Sequence, residues 1–172
     1  LYEHAVALDP LRANSHLQLG FLLYVGGRYD EARAALQKTL DLNPHAAYVH
    51  FTLGQILIAE RKPQQALAEI EKEPSEWGRF TGEALAYHTL GREQKSNAVL
   101  AALIAKHQAD AAYQIAQVYA YRGESGQSFE WLEHAYQQRD PGLPEINSDP
   151  LFKNLRHDPR YADLLKKMHL PT

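Results

Sequence analysis

Seven positions between His16 and Pro44 return 34 residues further along the chain, and this spacing limits the fold more than any other feature. His16, Leu19, Gly20, Leu23, Ala32, Leu36 and Pro44 are matched by His50, Leu53, Gly54, Leu57, Ala66, Ile70 and Gly78; only the last changes type. Within one copy the pattern predicts a helix from Ala13 to Val25, with Leu19, Leu22 and Leu23 joined by His16 and Gly20 on one stripe. Gly26-Gly27 ends it by supplying left-handed backbone angles. A second helix follows from Tyr29 to Asp41, with Ala32, Ala35, Leu36 and Leu40 on one face. Two helices joined by so short a turn pack antiparallel. Gly20 costs about 1 kcal/mol against alanine in mid-helix, which makes sense where the second helix must approach closely. A lone pair cannot bury its apolar faces, so a repeating pair means a solenoid.

The same phase organises the rest of the chain. Tyr2, Ala5 and Pro10 stand 34 residues before Leu36, Thr39 and Pro44, so residues 1–10 read as the back half of a repeat. The chain opens on Leu1-Tyr2 rather than Met, which suggests an excised piece of something longer. Full repeats are expected at 13–46, 47–76, 77–108 and 109–142. Pro74 and Gly78 break the period, so the second helix of repeat 47–76 should be short. A deletion of about four residues there explains why Gly91 follows its counterpart Arg61 by 30 residues. The last two repeats keep the helical pattern of Ala84, Tyr87, Leu100 and Leu103, then of Ala112, Ile115, Ala116, Leu132 and Ala135, with few identities. Residues 143–172 form a capping tail. Its two short helices each open on Asp-Pro, at Asp149-Pro150 and Asp158-Pro159, an N-cap followed by a first-turn proline. Phe152, Leu155, Tyr161, Leu164, Leu165 and Met168 supply the apolar face that covers the end of the fourth pair.

The residues Leu19-Gly20, Leu23, Gly27, Tyr29, Ala32, Leu36 and Pro44, then Leu53-Gly54, Leu57, Ala66 and Ile70, resemble the tetratricopeptide (TPR) repeat family. The resemblance implies an all-α, right-handed superhelical solenoid of antiparallel helix pairs, here with a C-terminal helical cap. The chain departs from the family where His16 and His50 replace a large aromatic early in the first helix. The phrases AYRGESGQSFEWLEHAYQQRDPGL and DPLFKNLRHDPRYADLLKKMHLP resemble the C-terminal TPR region of bacterial multidomain regulators, whose output modules include winged-helix, nucleotide cyclase and Ser/Thr kinase domains.

Composition and motifs exclude several kinds of chemistry. Eighteen Lys and Arg against 21 Asp and Glu leave a net charge of −3, without the basic clustering that tracks phosphates, so nucleic acid is not the expected partner. There is no Cys, which removes disulfides and thiolate sites. No apolar run spans a membrane and no signal segment is visible; a cytoplasmic location is favoured. Nine histidines lack metal-ligand spacing, the nearest pair being His45 and His50, so no metal is expected. No nucleophile elbow or Walker lysine accompanies the glycine turns, no cofactor is called for, and nothing argues for an enzyme. Glu69, Glu71 and Glu73 read as a solvated helix face.

In TPR proteins the first helix of each pair faces the concave side. Carried over by register, that geometry puts Asn14, Leu17, Gln18, Phe21, Tyr24 and Val25 on the inner surface. Tyr48, Phe51, Thr52, Gln55 and Ile58 follow from the second repeat, and Tyr113, Gln114, Gln117 and Tyr121 from the fourth. An aromatic lining punctuated by Gln suits a peptide, a helix or another domain of the parent chain. The Lys and Asn clamp that grips chaperone tails in the family would fall on Leu17, Phe21 and Thr52, so that mode is absent. The expected function is a protein-binding scaffold within a larger bacterial regulator. The alternatives are a dimerisation module, giving a homodimer, and an RNA-binding helical repeat.

Overall fold

Four tight turns set the architecture, and each passes through one residue with left-handed backbone angles. Gly27, Arg61, Gly91 and Gly123 have φ of +73°, +61°, +67° and +78°. These turns join the helices of four successive pairs in a computed structural model that describes residues 9–171. The pairs are α1 (Ala13–Val25) with α2 (Tyr29–Leu42), α3 (Val49–Ala59) with α4 (Pro63–Ile70), α5 (Glu76–Thr89) with α6 (Glu93–His107), and α7 (Ala112–Tyr121) with α8 (Ser125–Gln138). Two 3₁₀ turns, Leu143–Glu145 and Pro150–Leu155, and helix α9 (Pro159–Lys167) complete the chain. The half repeat read over residues 1–10 lies, up to residue 8, outside the described residues.

Gly26 is right-handed, at φ −75°, so Gly27 alone reverses the first pair. α4 runs for only 8 residues, opened by Pro63 at its first position. α5 starts where Ser75 accepts a hydrogen bond from the Gly78 amide at 3.4 Å.

Within each pair the helices cross at small residues spaced 12 apart. A Cβ on Gly20 would lie 2.7 Å from Leu36 Cγ, and one on Gly54 would collide with Ile70. Ala32 and Ala66, opposite these glycines, are fully buried. The third and fourth pairs solve the same crossing with Ala84 against Ser96 and Ala116 against Ser128. There each serine hydroxyl donates to the facing alanine carbonyl, at 2.8 and 2.9 Å. Leu22, placed on the core stripe by periodicity, is 41% exposed; Tyr24 is buried instead.

One continuous core joins Phe51, Ile70, Leu85, Leu103 and Ile115 across the second, third and fourth pairs. A second cluster packs Phe152, Leu155, Tyr161, Leu164 and Leu165 of the tail against Ala112, Ala116, Leu132 and Ala135. Asp149 and Asp158 accept from the amides two residues on, at 2.9 and 3.0 Å, as N-caps. The first of these helices is a 3₁₀ turn. Its Leu151 leaves the end cap and joins the inner core. Among the described residues no helix is long and apolar enough to cross a membrane.

Candidate binding groove

Three of the four first helices, α1, α3 and α7, lack side-chain caps of their own, and the solution at the last two shapes the groove. Glu73, just past α4, turns back and accepts from the amides of Tyr48 and Phe51 at the start of α3, at 2.9 and 3.1 Å, and from Ser75 at 3.1 Å. It is 1% exposed, so the solvated face expected for Glu69, Glu71 and Glu73 excludes its last member. A carboxylate taking three backbone donors offsets its own desolvation, which periodicity does not reveal. Asp140, just past α8, repeats the device and accepts from the Tyr113 amide in α7 at 3.1 Å.

These starts open onto a cavity of about 490 Å³ on the inner side. α1 contributes Leu17, Gln18 and Phe21, and the α3 segment contributes Tyr48, Phe51, Thr52 and Gln55. Trp77 of α5 joins them, with Tyr113, Gln114 and Gln117 of α7. Asp110, Asp140, Pro141, Gly142, Glu145 and Asp149 complete the lining. Ten of the residues read from the sequence as inner-surface candidates therefore border one space. Asn14 is exposed and borders neither large cavity. Tyr24 and Tyr121, with Ile58, line a neighbouring cavity of about 590 Å³, which Gln55 shares. Tyr121 is held there by a 2.8 Å hydrogen bond with Thr89.

The tail separates the two spaces. Asp149 borders the first, while Pro150 and Leu151 border the second. Asp149 is 2% exposed and accepts from Tyr113 Oη at 2.9 Å, Gln117 Nε2 at 2.6 Å and the Leu151 amide at 2.9 Å. Burial pushes its carboxyl up from the usual carboxylate range, against those three hydrogen bonds. Burial, then the nearby Asp149 charge, pushes the phenols of Tyr24 and Tyr113 well above the usual tyrosine range, so both stay protonated.

Tyr48 stands at the mouth in a left-handed conformation, φ +71°; the residue is 41% exposed and its ring centroid lies 5.0 Å from that of Trp77. A bulky residue in that region is strained, by roughly 1–2 kcal/mol. Deeper in, Gln55 and Gln117 are 4% and 6% exposed, and the Oε1 of each has no hydrogen-bond partner. Gln114 Oε1 is also buried without a partner. Trp77 and the four carboxylates escaped the sequence reading. Trp77 carried a signal, an aromatic beside the Ser75 cap; Asp110, Asp140 and Glu145 lie in loops and a short 3₁₀ turn without period, and Asp149 was marked only as an N-cap.

A solenoid of helix pairs with an open inner cavity is the TPR architecture, and the comparisons agree. The tetratricopeptide repeat family model matches residues 1–47 and 17–76. The crystal structure of MamA is similar over 80% of this chain and 84% of that one, at TM-score 0.51 and 19% identity. The crystal structure of YrrB, described as a TPR protein with an unusual peptide-binding site, is similar over 96% and 89%, at TM-score 0.53 and 17% identity. No curated protein matches the chain. At these identities the likeness establishes the fold, an all-helical TPR solenoid.

Proposed function

We propose that this chain is a protein-binding scaffold that holds a peptide, a helix or a segment of a neighbouring domain in the inner groove. The observation that carries the reading is Gln55: a buried amide oxygen without a partner, in the wall of a cavity whose mouth is a strained, exposed tyrosine. An unpaired buried acceptor costs about 1–3 kcal/mol, and a backbone amide of an incoming segment would relieve it. The peptide-binding site described for YrrB supports the same use of the fold. The likeness of residues 80–170 to bacterial regulators supports a place within a longer regulatory protein. Nothing in this mode needs a reacting group; the rigid surface is the mechanism.

Phe51 packs in the core, so it is unsuited to a test. Phe21→Ala with Tyr48→Asn removes two groove-lining rings, and asparagine tolerates the left-handed backbone. Phe21 also packs on the core of the first pair, so partner capture by affinity pull-down is read well below the melting transition of the variant, where it should fall at least about tenfold. Undiminished capture would overturn the groove as the binding site.

A further inference from the structure

The charge of the groove is one-sided. Among the described residues, its lining holds the carboxylates of Asp110, Asp140, Glu145 and Asp149 and no Lys, Arg or His side chain. Asp149 has spent its oxygens on Tyr113, Gln117 and Leu151, and both oxygens of Asp140 take backbone amides, Tyr113 at 3.1 Å and Gly142 at 2.9 Å. Asp110 and Glu145 are exposed. Asp110 Oδ1 lies 3.5 Å from His107 Nδ1, and Glu145 Oε2 accepts only a 3.5 Å contact from Ser148. The buried carboxylate of Asp149 lies behind these two, and its charge is felt at the Tyr113 ring, although the Arg156 guanidinium of the tail offsets part of it.

The second observation is independent of charge. Gln55 and Gln117, both more than nine-tenths buried, line the same space with unpartnered Oε1 acceptors. Acceptors and carboxylates both call for N–H donors. The Tyr48–Trp77 ring pair adds apolar surface and π faces, which attract a cation placed over them. Anionic segments are repelled, and a wholly apolar one leaves the carboxylate wall without a counter-charge.

We propose that the groove selects a segment of a separate partner protein in which a lysine or arginine sits among apolar residues. The assignment rests on the groove reading above and deepens it by naming the chemistry of the occupant. The apolar residues lie against Phe21, Tyr48 and Trp77; the cation faces Asp110 and Glu145.

The test uses the whole chain and a phage-displayed library of random 12-residue peptides, counter-selected against Phe21→Ala with Tyr48→Asn. Peptides kept only by wild type should be enriched in Lys or Arg by about threefold over the input. Asp110→Asn with Glu145→Gln, two exposed changes, should weaken the best of them about fivefold and flatten its salt dependence. Groove-dependent peptides without Lys or Arg enrichment would overturn the charge assignment and leave the groove reading standing. No peptide that depends on Phe21 and Tyr48 would overturn both. A dimer seen by light scattering that dissociates in Asp110→Asn with Glu145→Gln would make a second copy the occupant and overturn the separate partner.

Discussion

Tyr113 Oη donates to the buried carboxylate of Asp149 at 2.9 Å, and this bond ties the inner helix of the last pair to the tail. The tail is therefore part of the groove wall as well as an end cap. Its two roles are carried by adjacent residues: Leu151 enters the inner core, while Phe152 packs on the fourth pair. The rings of Tyr113 and Phe152 meet with centroids 5.2 Å apart.

Removing the acceptor should therefore loosen cap and groove together. Asp149→Ala leaves two buried side-chain donors and the Leu151 amide without their partner, a loss of about 2–4 kcal/mol. Tyr113→Phe removes one hydroxyl and should cost about 1 kcal/mol. Urea unfolding with matched slopes checks both. An Asp149→Ala midpoint at or above that of Tyr113→Phe would contradict the shared-acceptor account.

Glu69 gives the chain a measurable acid limb. Burial pushes its carboxyl up, but hydrogen bonds from Lys72 at 2.8 Å and His50 at 2.7 Å outweigh that, and the net shift is downward. A carboxyl that releases its proton more readily when folded adds stability above its unfolded pKa of about 4.3, lost as pH falls through the lower native value. Wild type should exceed Glu69→Gln by about 0.5–1 kcal/mol at pH 7, and the gap should close below about pH 4. A gap as wide at pH 3 as at pH 7 would refute this.

The helix crossings resist enlargement. Ile70 is fully buried between Gly54 of its own pair and Gly82 of the next, where a Cβ would come within 2.9 Å of it. Gly54→Ala gains about 1 kcal/mol of helix propensity and loses more to overpacking, so a net loss of about 1–2 kcal/mol is expected. Gly20→Leu against Leu36 should cost about 1–3 kcal/mol. Thermal unfolding reads both; a melting temperature equal to wild type would mean the helices yield without strain.

The crossings also explain what the sequence could disclose. Gly20 and Gly54 announced the first two pairs because a bare helix face has few other uses in a repeating pattern. The third and fourth pairs replaced Gly and Ala by Ala and Ser, keeping the close approach through the Ser96 and Ser128 hydroxyls. Residue identity was lost while the geometry persisted, so only phase and helical pattern showed them. The groove was legible where it lies on helices, at Leu17, Phe21, Phe51, Gln55 and Gln117. It was illegible where distant loops complete it. Nothing local marks Glu73 as a borrowed cap, and Asp149 meets Gln117 only because the tail folds back across 32 residues.

Arg61 is the one place where the repeat keeps a conformation and loses the residue suited to it. The other three turns between paired helices place glycine at φ near +70°, and nothing would touch a Cβ built on them, so backbone preference alone selects glycine. Arg61 adopts φ +61° in the same position, where its Cβ crowds the neighbouring carbonyl oxygen at a cost of roughly 1–2 kcal/mol. Glycine relieves that strain but gives the unfolded chain more freedom, which returns part of the gain. Arg61→Gly should raise stability by about 0.5–1 kcal/mol, and Gly27→Ala should lower it by about 1 kcal/mol. Arg61 borders the second cavity, not the groove, so peptide capture should be unchanged in Arg61→Gly. A lower denaturation midpoint for Arg61→Gly would show that the arginine side chain holds this turn by contacts worth more than the backbone strain.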